Sequence, residues 1–162
     1  MNGAVAAAPA STRGGRARAT TLWLRIASVV SLLFTAGHTL GGLQRWSPTP
    51  DNEVLRQMIA VHFDVQGMSR SYYDFYMGFG WTLSIAMLLQ TVLLWQLASM
   101  ARTNPAGVRP MIGAFALATL ASGVIALRFI FPIPVIFSAA LFLALTVAFV
   151  TAGREAVSPA DA

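Results

Sequence analysis

The sequence predicts an all-α fold: an integral membrane four-helix bundle with a short amphipathic helix in the outer loop between the first and second spans. Three observations predict it. Apolar residues make up 56% of the 162 residues and charged residues only 10%, against roughly 25% charged in an average soluble domain. Charges punctuate the chain so as to leave four long uncharged stretches. A breaker sequence or a polar connection separates each stretch from the next.

Between Arg25 and Gln44 lie 18 residues without formal charge, taking His38 as neutral. Between Asp74 and Arg102 lie 27, between Arg109 and Arg128 lie 18, and between Arg128 and Arg154 lie 25. A helix of roughly 20 residues crosses a hydrocarbon core of about 30 Å, so each stretch is long enough. The spans are expected near 22–43, 72–98, 110–131 and 133–152. A closed barrel is the other spanning solution, and its alternating period is absent.

Local signals mark the ends. Pro110 suits a first helical turn, where its missing N–H would be unpaired anyway. Phe131-Pro132-Ile133-Pro134 ends one helix and starts the next, which predicts a tight antiparallel hairpin. Ser71-x-x-Asp74 reads as a capping box at the start of the second span. Residues 1–20, rich in Ala, Gly, Ser, Thr and Arg without apolar periodicity, are expected as a disordered cytoplasmic tail, and residues 153–162 likewise.

All eleven basic residues are Arg. With the N-terminus inside, Arg13, Arg16, Arg18, Arg25, Arg102, Arg109 and Arg154 are cytoplasmic, and only Arg45, Arg56 and Arg70 lie outside. This excess places both termini on the cytoplasmic side of a cytoplasmic (inner) membrane. Trp23 and Trp95 would mark the inner interface; Trp46, Tyr72, Tyr73, Tyr76, Phe129 and Phe131 would mark the outer one. The first span also has the basic flank and apolar run of a signal peptide, but cleavage after Ala36 would put Phe34 where a small residue is wanted, so an uncleaved helix is expected. The net charge of +5 follows topology rather than a basic stripe, so no nucleic-acid partner is expected. With no cysteine, disulfide frameworks, thiol catalysis and Cys-ligated metal are excluded.

The outer loop, residues 44–71, is the distinctive connection. Thr49-Pro50-Asp51 opens a helix, and Leu55, Met58, Ile59, His62 and Phe63 then share one face at helical spacing. An amphipathic helix over 51–63 resting at the outer interface follows, with Gly67 supplying the turn before Ser69-Arg70-Ser71.

Two strings carry a resemblance: Ala36-Gly37-His38-Thr39-Leu40-Gly41-Gly42, and Phe63-Asp64-Val65-x-Gly67-x-Ser69-Arg70-Ser71-Tyr72-Tyr73-Asp74-Phe75-Tyr76-x-Gly78-Phe79-Gly80. Over roughly residues 22–152 the chain resembles an uncharacterised family of small four-helix bacterial membrane proteins. That family has no assigned activity, so the resemblance implies topology and no chemistry.

Several polar groups fall within roughly 6 Å of one plane at 1.5 Å per helical residue: His38, Asp64, Arg70, Tyr73, Asp74, Tyr76 and Arg128. These are the candidate ligand-binding residues. Arg128 at mid-membrane would cost about 2.5–3.5 kcal/mol, so it either snorkels to the headgroups, pairs with Asp74 or Asp64, or binds a ligand. Asp74 has its cap to explain it. His38 lies in a small-xxx-small motif, Gly37 to Gly41, where a hydrogen bond across a close helix contact is the plain reading and proton transfer or metal ligation the sharper one. His62 with His38 and Asp64 matches no known metal-ligand spacing, so neither metal nor cofactor is expected. The function expected is non-enzymatic: binding of a lipid-like small molecule, or of a partner helix, at this outer-leaflet layer. A membrane enzyme acting on a lipid or isoprenoid, with His38 as acid/base, is the alternative, and a transporter or channel subunit the second. Partners are the lipid bilayer and, left open, a second copy or a membrane protein.

Overall fold

The computed structural model describes residues 10–42 and 52–153. The order is helix α1 (Ala10–Gly37), a π-helical segment (His38–Gly42), α2 (Glu53–Ala60), strands β1 (His62–Val65) and β2 (Met68–Ser71), then α3 (Tyr72–Met100), α4 (Pro105–Phe129) and α5 (Pro132–Ala152). Four helices, α1, α3, α4 and α5, are long and apolar enough to cross a membrane. The chain divides into two compact units: residues 1–31 with 91–162, and residues 32–90.

In the first unit, α1, α3, α4 and α5 share one core. Leu24 and Ala27 of α1 meet Leu94, Leu97 and Ala98 of α3, Val108 and Ile112 of α4, and Leu141, Ala144, Leu145 and Ala148 of α5. Between α1 and α3 the seam is polar. The Ser28 hydroxyl donates to the Thr91 carbonyl at 2.9 Å, and the Ser31 and Thr91 hydroxyls bond each other at 2.8 Å. Thr20 of α1 donates to Thr151 of α5 at 3.1 Å. The α4–α5 hairpin follows from Pro132 and Pro134, with Ile130 and Phe131 bridging the two helices. It packs closely because α4 presents glycine at two crossings: a Cβ on Gly113 would lie 3.1 Å from the Phe149 ring, and one on Gly123 3.2 Å from the Ser138 Cβ.

In the second unit the loop differs from expectation. Helix α2 ends at Ala60, and the residues expected to continue it form a two-stranded antiparallel hairpin. The fold is therefore not purely helical. Val61-His62-Phe63-Asp64-Val65 alternates in a run bounded by β-branched valines, which suits a strand. Gln66 (φ 50°) and Gly67 (φ 80°) close the hairpin, and two successive positive φ values make a type I′ turn, matched to the strand twist. Gly67 supplies the turn as the sequence indicates; the strands on either side of it were not anticipated. Asn52 caps α2 by accepting the Leu55 N–H at 3.1 Å, and the Thr49-Pro50-Asp51 start lies outside the described residues. Leu55 and Met58 are half-buried while Ile59 is exposed, so the apolar face is only partly covered.

Two boundaries also shift. Helix α1 begins at Ala10, so residues 10–20 of the expected disordered tail are helical. Its core contacts at Thr20 and Leu24 give that extension a tertiary reason that periodicity does not reveal. Helix α4 starts at Pro105 behind Asn104, whose side chain accepts the Gly107 N–H at 2.8 Å. Pro110 consequently sits inside the helix, where one ladder bond is lost.

Candidate functional site

Six of the seven candidate residues, His38, Asp64, Arg70, Tyr73, Asp74 and Tyr76, belong to the second unit, and Arg128 belongs to the first. His38 opens the π-helical segment. Its Nε2 lies 3.3 Å from the Gly80 carbonyl oxygen of α3. A carbonyl only accepts, so Nε2 carries a proton and donates it to this bond. Next to it the Thr39 hydroxyl donates to Ser84 at 2.9 Å. Gly80 and Ser84 stand one turn apart on α3, so the π segment docks along a single stripe. The hydrogen bond to a neighbouring helix is present, but a Cβ on Gly37 or Gly41 would meet nothing within 4 Å, so the small-xxx-small pair does not make the close contact expected of it.

Asp74 is engaged in the first turn of α3. Its Oδ2 accepts the Ser71 N–H at 2.8 Å, and its own N–H donates to the Ser71 hydroxyl at 3.1 Å. The capping box is therefore complete and reciprocal. Arg128 stands exposed in the last turn of α4 with its guanidinium 5.4 Å from the Phe129 ring centre, where the negative end of the helix favours a cation. Each of these two residues thus has an account within its own unit.

The hairpin register separates Asp64 from Arg70. Phe63 is opposite Arg70 and Asp64 is opposite Ser69, so the two charges project from opposite faces of the ribbon. Arg70 lies flat along its own strand, Nη1 donating to the Ser69 carbonyl at 2.8 Å and Nη2 to Met68 Sδ at 3.3 Å. His62, expected on the helix, is on β1 instead and donates from Nδ1 to the Ala60 carbonyl at 3.0 Å. Among the described residues no group of three His, Asp or Glu side chains is placed to hold a metal ion.

The structure brings together a set of aromatic rings. Phe63 of β1 lies 4.9 Å from Tyr72 and 5.5 Å from Phe75, and Phe75 lies 6.3 Å from Phe79. Tyr73 stacks beside Tyr76 at 6.1 Å. Tyr72, Phe75, Tyr76 and Phe79 are all exposed, Phe79 by 73%. The spacing of Tyr72, Phe75 and Phe79 is a helical stripe and was readable as such. Phe63 was not, because its contact depends on the hairpin.

No known protein family, curated protein or solved structure matches the chain.

Proposed function

We propose that the chain is a multi-pass, four-helix protein of the bacterial cytoplasmic membrane, with both termini cytoplasmic. Its proposed role is non-enzymatic: to hold a lipid-like small molecule at the layer formed by the hairpin and the first turns of α3. The observation that carries this reading is the aromatic run of half-buried Phe63 with exposed Tyr72, Phe75 and Phe79, with Arg70 on the Phe63 face of the hairpin. Rings at an interface accept acyl chains and flat headgroups, and an adjacent guanidinium accepts an anionic or carbonyl group. Of the acid–base groups a catalyst would use, Asp74 is taken up by its cap, while His38 is oriented by its bond to Gly80. The resemblance to small four-helix bacterial membrane proteins supports topology alone.

The test is mass spectrometry of small molecules that co-purify with the full chain in mild detergent, beside an unrelated four-span protein. A lipid or quinone enriched on this chain and lost in Phe75→Ala and Arg70→Gln supports the reading. A co-purifying membrane protein in its place would move the assignment to a partner helix. Turnover of an added lipid or isoprenoid, abolished by His38→Asn, would favour the enzyme alternative.

A further inference from the structure

The described residues of the first unit carry charge of one sign: they contain seven arginines and no Asp or Glu. Two of those arginines serve α5, whose own last turn holds no basic residue. Arg109 donates from Nε to the Phe149 carbonyl at 3.2 Å, and Arg16 Nη1 lies against Gly153. Both sit where a helix C-terminus leaves carbonyls unpaired and partly negative.

Arg128 stands at the C-terminal end of its own helix α4, whereas Arg18, Arg25 and Arg102 lie at no such end of a neighbouring helix. Arg18, Thr21 and Arg25 follow one another at i, i+3 and i+7 on α1. Trp95 and Ser99 stand one turn apart on α3, and Arg102 follows in the turn just beyond the end of that helix at Met100. Arg18–Thr21–Arg25 is one stripe of α1, and Trp95–Ser99 one stripe of α3. The stripes meet, because the Arg25 guanidinium covers the Trp95 ring at 3.2 Å and donates from Nη2 to the Ser99 hydroxyl at 2.9 Å. Arg102 is tied to the same place by its backbone, its N–H donating to the Ser99 carbonyl at 3.4 Å. Arg25 Nη1 and Thr21 Oγ1 are covered and have no hydrogen-bond partner. Three cations and no carboxylate along these two adjoining segments, with the Trp95 ring beside them, make a patch of one sign that favours an external anion.

We propose that the α1 stripe Arg18–Thr21–Arg25 and the α3 stripe Trp95–Ser99, with Arg102 in the turn that follows α3, form a seat for the phosphodiester headgroup of an anionic phospholipid. Arg18, Ser99 and Arg102 are exposed and meet the headgroup first. Arg25, held by its ring stack, supplies a fixed positive charge behind them, and the half-exposed Trp95 lies beside the glycerol and upper acyl chain. Phosphate suits the donor set, since guanidinium and hydroxyl groups only need an acceptor rich in oxygen. A lipid rather than a soluble phosphate is chosen because both stripes lie on helices apolar enough to span a membrane, where the density of headgroups is high. This site is independent of the hairpin reading above.

The experiment uses the full chain in mixed nanodiscs of phosphatidylglycerol and phosphatidylcholine, with native mass spectrometry of the lipid retained on release. Retention should favour phosphatidylglycerol. Arg18→Gln and Arg102→Gln should each reduce that preference by about fivefold, the effect of one basic residue near an anionic surface. Arg56→Gln, outside the first unit, should leave it unchanged. Rising salt should weaken the preference in the unmodified chain, a readout that needs no variant to fold. Equal retention of the two lipids, or a preference insensitive to salt and to both substitutions, would overturn the proposal. So would glycerol 1-phosphate stabilising the detergent-solubilised chain as well as phosphatidylglycerol does, because the seat would then belong to a soluble anion.

Discussion

Ser71 and Asp74 each bond the other's backbone N–H at the start of α3, at 2.8 and 3.1 Å. Ser71 is also the last residue of β2, so one residue ends the hairpin and caps the helix. Loss of such a cap costs about 1 kcal/mol. Ser71→Ala and Asp74→Ala should each lower the melting temperature in detergent. The double variant should lose little more than either alone, because the two bonds form one reciprocal unit. Equal and fully additive losses would mean that the side chains act separately. An Asp74→Asn and Arg128→Gln cycle asks the remaining question: coupling between them would show that the ion pair expected from the sequence acts beside the cap.

That cap was legible because its signal is local: two polar residues at fixed spacing before an apolar run. The four long helices were legible for a related reason, since a span is written as uninterrupted apolar length. The hairpin was not. His62 and Phe63 fit a helical face with Leu55 and Met58 as well as they fit a strand, and only the pairing of β1 with β2 decides. The start of α1 was hidden too, because Thr20 gains its helical place from a hydroxyl bond to Thr151, 131 residues away. Of the site, the polar residues were found and their partners were not. His38 bonds a backbone carbonyl, which no side-chain motif announces, and the separation of Asp64 from Arg70 follows from strand alternation alone.

Helix α2 should respond to acid. Bonds from Arg56, and then from Gln57, hold the Glu53 carboxyl below its ordinary value of 4.5. A carboxyl held low in the folded state stabilises that state fully above its unfolded value, and the contribution fades as pH falls through the lower folded value. Amides of Asn52–Ala60 should therefore lose exchange protection, corrected for intrinsic rate, below about pH 4.5. Glu53→Gln should show weaker protection at neutral pH and a flat acid response. Because the pair is exposed, added salt should shrink the difference. Identical acid profiles for the two chains would assign the effect to another group.

Gly123 should tolerate no large side chain. A Cβ there already lies 3.2 Å from that of Ser138, so Gly123→Val forces α4 and α5 apart or strains a rotamer, a cost of about 1–3 kcal/mol. Ser138→Gly in the same chain should recover part of the melting temperature by opening the facing surface. A Gly123→Val chain that melts with the unmodified protein would show that the α4–α5 crossing is looser than the structure has it.

The hydroxyl seam between α1 and α3 should hold the first unit by several small terms rather than one large one. Ser28 gives its proton to the Thr91 backbone carbonyl, and Ser31 bonds the Thr91 hydroxyl; all three residues are buried. In an apolar surrounding such bonds average about 0.6 kcal/mol each, since the unfolded chain in a membrane also finds partners. The two bonds differ in what their removal leaves behind. Ser28→Ala removes a donor to a carbonyl whose helical bond to the following turn survives, so a small loss is expected. Thr91→Val keeps volume but removes one hydroxyl of the buried Ser31–Thr91 bond, so a moderate loss is expected. Ser31→Ala together with Thr91→Val should cost less than the sum of the two single losses, because both remove the same bond. Thermal unfolding of the three single variants and the Ser31–Thr91 double in one detergent gives the order directly. A double variant worse than either single by their full sum would mean that the hydroxyls do not bond each other, and that close packing of small residues alone joins α1 to α3.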